Sequence, residues 1–396
     1  MDAWWSSDEA GPGTHALVIG VSHYDNLPPG ATPDAPWVVG MQQLESAAIT
    51  AAEFARWLHD EHNIPDAPLR SIRLLLSPSN AELDGLSERE RAAPRACMAN
   101  VESAVCAWVE TCRSDTGNVA VLYAAGHGIA TTSVEPGILL LEDYGAGGME
   151  QLLDHALSIT TLRAGLAASP GGAPARQFGF FDACRTEHEA SLAYNLGAAF
   201  PRWTVAKTPT AISHPMYLGA ADGAPSYGRS GGGRTLFWEA LKPCLAEDAV
   251  STLGGDDSVW GIRDDWLLAP VIARLTAIAH EAGVTQTATV AGTPAGSVIH
   301  VCRTPPPLER TFAVVPSDAG PWASGTLRHD DQSTPHFAGV SFAQPHNDIV
   351  PAGTYELSVT VDHPPYIDRR IWRMIRPGGD PRIDVSVVAG REAPGS

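Results

Sequence analysis

The chain has 396 residues, 44% of them hydrophobic and 18% charged, and 26 Lys and Arg against 45 Asp and Glu leave a net charge of −19. That length admits two domains, and that composition supports a sizeable core and excludes a disordered chain. The negative charge disfavours a phosphate-backbone partner, so no nucleic acid is expected, while a basic partner or substrate would be steered towards the protein.

No apolar run approaches the roughly 18 residues that span a bilayer, so no membrane partner is expected. The N-terminus, MDAWWSSDEAGPG, is acidic and lacks a basic n-region, so a secretory signal is not expected. Six cysteines (Cys97, Cys106, Cys112, Cys184, Cys244 and Cys302) include no CxxC pair, which indicates neither a zinc site nor a disulfide framework. A reducing, cytoplasmic setting with mostly buried thiols is the expectation.

Residues 1–13 read as a frayed arm whose Trp4 and Trp5 either dock on the body, the favoured reading, or contact a partner. Thr14–Val21 is a buried strand running into a turn-rich stretch, SHYDNLPPGATPDAP. Leu44, Ala47, Ala48, Ala51, Phe54, Ala55 and Leu58 then recur at helical spacing, which predicts an amphipathic helix over about 42–62. Ser71–Leu76 is the next strand. Pro94 opens a second helix that carries Met98, Val101, Val105, Trp108, Val109 and Cys112 on one face. Alternation continues through VAVLYAA, GILLLED (137–143), a helix over about 158–168 and QFGFFD. It predicts a mostly parallel α/β sheet with helices on both faces.

An irregular stretch, 185–214, contains Arg185, Arg202 and Lys207, and a loop of that length is usually functional or mobile. Pro215–Ala221 resumes as a strand, TLFWEALKPCL reads as a helix, and an acidic run, Glu247–Asp265, precedes a helix over 265–282. Short strands at TATVAG and SVIHVC close the domain at 304. Pro305, Pro306 and Pro307 read as a linker, and the alternating segments beyond it (TFAVVP, GVSFAQ, GTYELSVTVD, RIDVSVV) predict a small all-β sandwich over 305–396.

Two short apolar runs end at reactive side chains: VAVLYAAGHG at His127 and QFGFFDACR at Cys184. Chemistry in open α/β sheets gathers at the carboxyl ends of the strands. A thiol becomes an acylating nucleophile when a neighbouring base deprotonates it, and His is the usual base near neutral pH. Attack on a carbonyl also needs backbone N–H donors for the oxyanion, and Gly128 and Cys184 itself are placed to supply them. Singly, each residue reads as a structural turn histidine or strand-end cysteine. Jointly they read as a catalytic dyad.

Strand–Ala-Gly-His-Gly followed by strand–Asp-Ala-Cys-Arg resembles the caspase-like peptidases of clan CD, family C14, and within them the bacterial caspase-like and metacaspase-like enzymes. The resemblance covers roughly 14–300 and includes ALVIGVSHY, LLLED and MYLGAADGAPSYG. Where the caspase signature has Gln and Gly, this chain has Asp182 and Thr186. The resemblance implies a caspase–haemoglobinase-like fold and a thiol protease, made as a zymogen, acting through His127 and Cys184. It implies that Asp182 lies at the base of the pocket for the residue before the cleaved bond (P1). Asp222 matches a second acidic position there, and Ser226 and Tyr227 pair with the substrate backbone. A carboxylate pair of that kind selects Arg or Lys at P1. Taken alone, Asp182 also reads as a residue that orients His or caps a loop, and Asp222 as a turn-forming Asp.

Further expectations follow from the resemblance. Protein substrates with Arg or Lys sites are the partners, with an upstream activating protease or regulator, and the 185–214 linker is a place for autoprocessing. Bacterial relatives act in antiviral defence or regulated cell death. No cofactor or metal is expected: the acidic run is similar to that of calcium-dependent metacaspases, but its spacing does not fit an EF-hand and reads as a solvated surface. His23 and Asp25 read as loop residues at the cleft. A non-catalytic caspase-like scaffold is the alternative of a different class, and a transpeptidase or ligase would share the acyl-enzyme.

Overall fold

The computed structural model describes residues 3–28, 38, 40–130, 137–167, 172–187, 199–201, 213–253 and 256–388. The chain divides into two compact units, one formed by Met1–Pro243 with Arg263–His300 and the other by Cys244–Ile262 with Val301–Ser396. Among the described residues no helix is long and apolar enough to cross a membrane.

The first unit is α/β. Its elements are β1 (Trp5–Ser6), β2 (Thr14–Val21), α1 (Ala47–Asp60), β3 (Leu69–Ser77), α2 (Met98–Arg113), β4 (Val119–Gly126), β5 (Gly128–Ala130), β6 (Ile138–Leu140), β7 (Ala156–Ser158), α3 (Ile159–Ala167), β8 (Arg176–Ala183), β9 (Thr186–Glu187), β10 (Met216–Leu218), α4 (Leu236–Pro243), α5 (Leu268–Glu281) and β11 (Thr289–Ala291). The main sheet runs β1-β3-β2-β4-β8-β10-β11. The five inner strands are parallel, and β1 and β11 close the two edges antiparallel.

Alternation along β2 decides which helix covers which face. Gly20 lies against α1 so closely that a Cβ there would stand 2.6 Å from the Ala51 Cβ. Leu17, Ile19 and Val21 join Val101, Val105 and Trp108 of α2 in the opposite core. Helices therefore cover both faces, as the alternation predicts. The small residues of α1 (Ala47, Ala48, Ala51) permit the close approach, and its Phe54 stacks on Tyr123 at 4.4 Å and meets Phe180 and Trp238. Burying one such ring contributes ~2–3 kcal/mol.

The start of α1 is capped from outside its own sequence. Ser22 Oγ accepts from the N–H groups of Ala47 and Ala48 at 3.0 Å, and the buried Glu82 carboxylate accepts from Ile49 N–H and Ser22 Oγ. These bonds satisfy helix-terminal donors that would otherwise be buried unpaired, and they pin the loop that follows β2.

Three expectations change. The arm is not frayed: Trp5 and Ser6 pair with Ile72 and Ser71, and Arg89 stacks over Trp4 at 4.7 Å. An unpaired sheet edge is a liability, and two residues suffice to cover part of it. The GILLLED segment is a strand, but it lies in a separate small sheet, β7-β6-β5-β9, antiparallel to β5. Seven residues between β5 and β6 are too few for a parallel crossover. The acidic run is not uniformly solvated. Asp264 is buried, accepts from the N–H groups of Ala295, Gly296 and Ser297 and from Ser213 Oγ, and holds a loop together.

In the second unit, Pro307–Val315 pairs with His346–Pro351 and Arg382–Ser386, and Ala323–His329 pairs with Phe337–Ser341 and Gly353–Val361, which in turn pairs with Arg369–Ile375. Phe312 and Phe337, from different sheets, meet edge to face at 5.3 Å. The 323–329, 346–351 and 369–375 strands were not among the predicted segments. Cys244–Ile262, which the sequence places within the domain ending at 304, clusters with this unit.

Candidate active site

β4 and β8 are adjacent and parallel, and their register runs to Gly126 opposite Ala183. His127 and Cys184 are the next residues on each strand, so the sheet delivers them to neighbouring positions at its carboxyl edge. Strands sit ~4.8 Å apart. The chain then leaves the sheet on both sides, into β5 and β9, which pair with each other. Gly128 is needed there: a Cβ at that position would stand 2.4 Å from the Cys184 carbonyl oxygen and 2.7 Å from the Ala183 Cβ.

His127 is held at three points. Its N–H donates to Tyr24 Oη at 2.7 Å, and that hydroxyl donates to the Val21 carbonyl at 3.2 Å. The Tyr24 ring tilts against the imidazole with centroids 5.0 Å apart. Nε2 lies 2.7 Å from the Gln42 carbonyl oxygen. A carbonyl only accepts, so Nε2 carries the proton and Nδ1 keeps the lone pair. Burial lowers the imidazole pKa, opposed by the Gln42 bond, and favours this neutral form.

Cys184 is half-buried, and its Sγ accepts from Ser226 N–H at 3.2 Å. Burial raises the thiol pKa, the Asp182 charge adds to this, and the Ser226 bond opposes it. The resting sulfur is a protonated thiol, to be ionised by a base rather than held as a standing thiolate.

Asp182 is buried on the α1 side of β8. Its carboxylate accepts from Tyr123 Oη at 2.8 Å, from Thr235 Oγ1 and, at 3.4 Å, from Ser226 Oγ. Burial raises its pKa from 3.8 to about 6 against those three bonds. Its named partners are all neutral hydroxyls, so the carboxylate is solvated by dipoles rather than neutralised by a cation.

The remaining predicted residues fall into place differently. Asp222 is 75% exposed and pairs with Arg185, so it does not form an uncompensated carboxylate pair with Asp182. Arg185 is buried, donates to the Ala220 carbonyl and Thr289 Oγ1, and staples the 220–224 turn. That burial withdraws it as a cleavable linker residue. Arg202 and Lys207 lie outside the described residues. Ser226 touches both Cys184 and Asp182, and Tyr227 N–H donates to Gln286 Oε1 at 3.0 Å. His23 and Asp25 pair at 3.2 Å beside Arg95 and Glu142.

Sequence reasoning missed Tyr24, Gln42, Thr235 and Gln286. Gln286 donates to the Gly219 carbonyl and to Ser226 Oγ, tying the 226–227 segment to β10. Tyr24 stands in the quoted ALVIGVSHY run and carried a signal. A backbone carbonyl such as that of Gln42 carries none.

No family model matches the sequence, and no curated protein matches it. Among solved structures, the chain is similar to the crystal structure of caspase-1 from Spodoptera frugiperda, with 12% identity, covering 74% of this chain and 94% of that one, at a TM-score of 0.39.

Proposed function

We propose that the chain is a cysteine endopeptidase that cleaves proteins after Arg, and more slowly after Lys. The observation that carries this reading is the β4–β8 register, which sets His127 and Cys184 side by side at the ends of two parallel strands. His127 Nδ1 would take the thiol proton, Sγ would attack the scissile carbonyl, and the N–H groups of Gly128 and Cys184 would receive the oxyanion. The protonated imidazole then passes its proton to the leaving amine, and water releases the acyl group by the reverse sequence.

Asp182 carries the selectivity. A guanidinium brought to a buried carboxylate that has only hydroxyl partners gains a charge-assisted bond and removes an electrostatic cost in one step. Asp222 contributes less, because Arg185 already compensates it.

A panel of fluorogenic peptides tests the proposal. Cleavage after Arg, lost in Cys184→Ala, is expected; cleavage after Asp alone would sink the specificity. The non-catalytic scaffold is separated by an Arg-acyloxymethylketone probe: labelling of the wild type that disappears in Cys184→Ala excludes it, and absence of labelling favours it.

A further inference from the structure

A pocket of about 450 Å³ lies where β2, β3 and β4 begin, at the end of the sheet opposite His127 and Cys184. Eight residues of strand separate the two ends, roughly 25 Å. Its lining includes Glu9 of the arm, His15 of β2, Arg70 and Arg73 of β3, and Ser114 and Asp115 beyond α2, so a second carboxylate stands beside the two guanidiniums. Two guanidiniums in one pocket stand out in a chain with a net charge of −19.

The floor is built rather than incidental. Arg70 is only 12% exposed; one Nη donates to the Glu9 carboxylate and the other lies 3.4 Å from the Ala10 carbonyl. Its Nε is buried and has no hydrogen-bond partner among the described residues. His15 Nδ1 is held by Ser71 Oγ at 2.8 Å, and burial, opposed by a bond with Asn118 and reinforced by both guanidiniums, lowers the pKa of this ring to about 4. Glu9 is 73% exposed. The chain's own carboxylate thus already occupies part of the site from the solvent side, through an ion pair of the kind that exchanges at little cost.

We infer that this pocket binds a small phosphorylated molecule, whose phosphoryl group displaces Glu9 from Arg70 and is shared with Arg73. A carboxylate offers two oxygens and one charge. A phosphoryl group offers three oxygens and nearly two charges, which suits two guanidiniums and the serine hydroxyls of the lining better. The site is independent of the peptidase reading, and neither Cys184 nor His127 takes part in it.

Calorimetry on the full chain with pyrophosphate as the probe tests the inference. Saturable binding is expected, about two- to five-fold tighter in Glu9→Gln, which removes the internal competitor. Arg73→Gln is expected to weaken binding about tenfold or more. Should that variant fail to fold, the exposed Glu9→Gln change carries the test by itself. No binding to either wild type or Glu9→Gln, or equal affinities of the two, would overturn the site.

Discussion

The Gln42 carbonyl oxygen lies 2.7 Å from His127 Nε2, and this single contact decides which imidazole nitrogen carries the proton and which keeps its lone pair. Because the partner is main chain, Gln42→Ala should leave kcat/KM for an Arg peptide within about twofold of wild type. Tyr24→Phe should not be neutral. It removes the acceptor of the buried His127 N–H, and an orphaned donor costs about 1–3 kcal/mol. A Tm drop with a fall in kcat is expected. A Tyr24→Phe enzyme of unchanged kcat and Tm would remove Tyr24 from the positioning of His127.

Gly128 tolerates no side chain. The added methyl of Gly128→Ala would overlap the carbonyl of Cys184. Overpacking of this sort costs about 1–3 kcal/mol, and here it also shifts Cys184. Urea unfolding together with active-site labelling should show loss of both stability and reactivity; full labelling at wild-type stability would contradict the packing.

Asp182 supplies a pH signature. Its folded pKa of about 6 lies above the ordinary 3.8, so its contribution to stability is present below the lower value and lost as pH rises through the upper one. The proposed recognition of Arg would have the opposite sense, since it would need the carboxylate. The ratio of kcat/KM for Arg over citrulline at P1, in which the titration of the dyad cancels, should rise through about pH 6 and be flat in Asp182→Asn. A ratio insensitive to pH in the wild type would detach Asp182 from P1.

The parts of this molecule that were legible in the sequence are those written by periodicity and by strand-end chemistry. The inner strands, α1, α2 and the strand ends at His127 and Cys184 follow from apolar runs and 3.6-residue spacing. β6 was misplaced because an apolar run states burial but not a partner, and only the short link from β5 forbids a parallel return. The arm was misread because two residues of edge strand have no period. Asp222 looked like half of a carboxylate pair because its actual partner, Arg185, is 37 residues away in sequence and was assigned to a loop.

Acid stability should depend on His62. The ring is buried against Trp57 and His300, neither of its nitrogens has a hydrogen-bond partner among the described residues, and burial lowers its pKa to about 3. A histidine whose folded pKa is depressed destabilises the fold as pH falls from its ordinary 6.5 towards 3, because the unfolded chain takes up the proton first. His62→Phe should therefore flatten the decline of unfolding free energy between about pH 6.5 and 4, by on the order of 2–4 kcal/mol. His15, lowered to about 4, continues to titrate in the same window. A variant with the wild-type slope would show that His62 does not set it.

The β8–β10 ladder has a mechanical consequence. Gly179, Phe180 and Phe181 are knit in register to Met216, Tyr217 and Leu218, and the Gln177 and Gly179 N–H groups bond to the Ser213 and Pro215 carbonyls. Severing the backbone once between Pro201 and Ser213 would therefore leave two polypeptides sharing one sheet, with Phe200 still bonded to Ala156 and Ser158 on the first of them. They would travel as one particle under native conditions and part only in denaturant. The ladder between β8 and β10, rather than the peptide bonds of that stretch, would then hold the two pieces in one body.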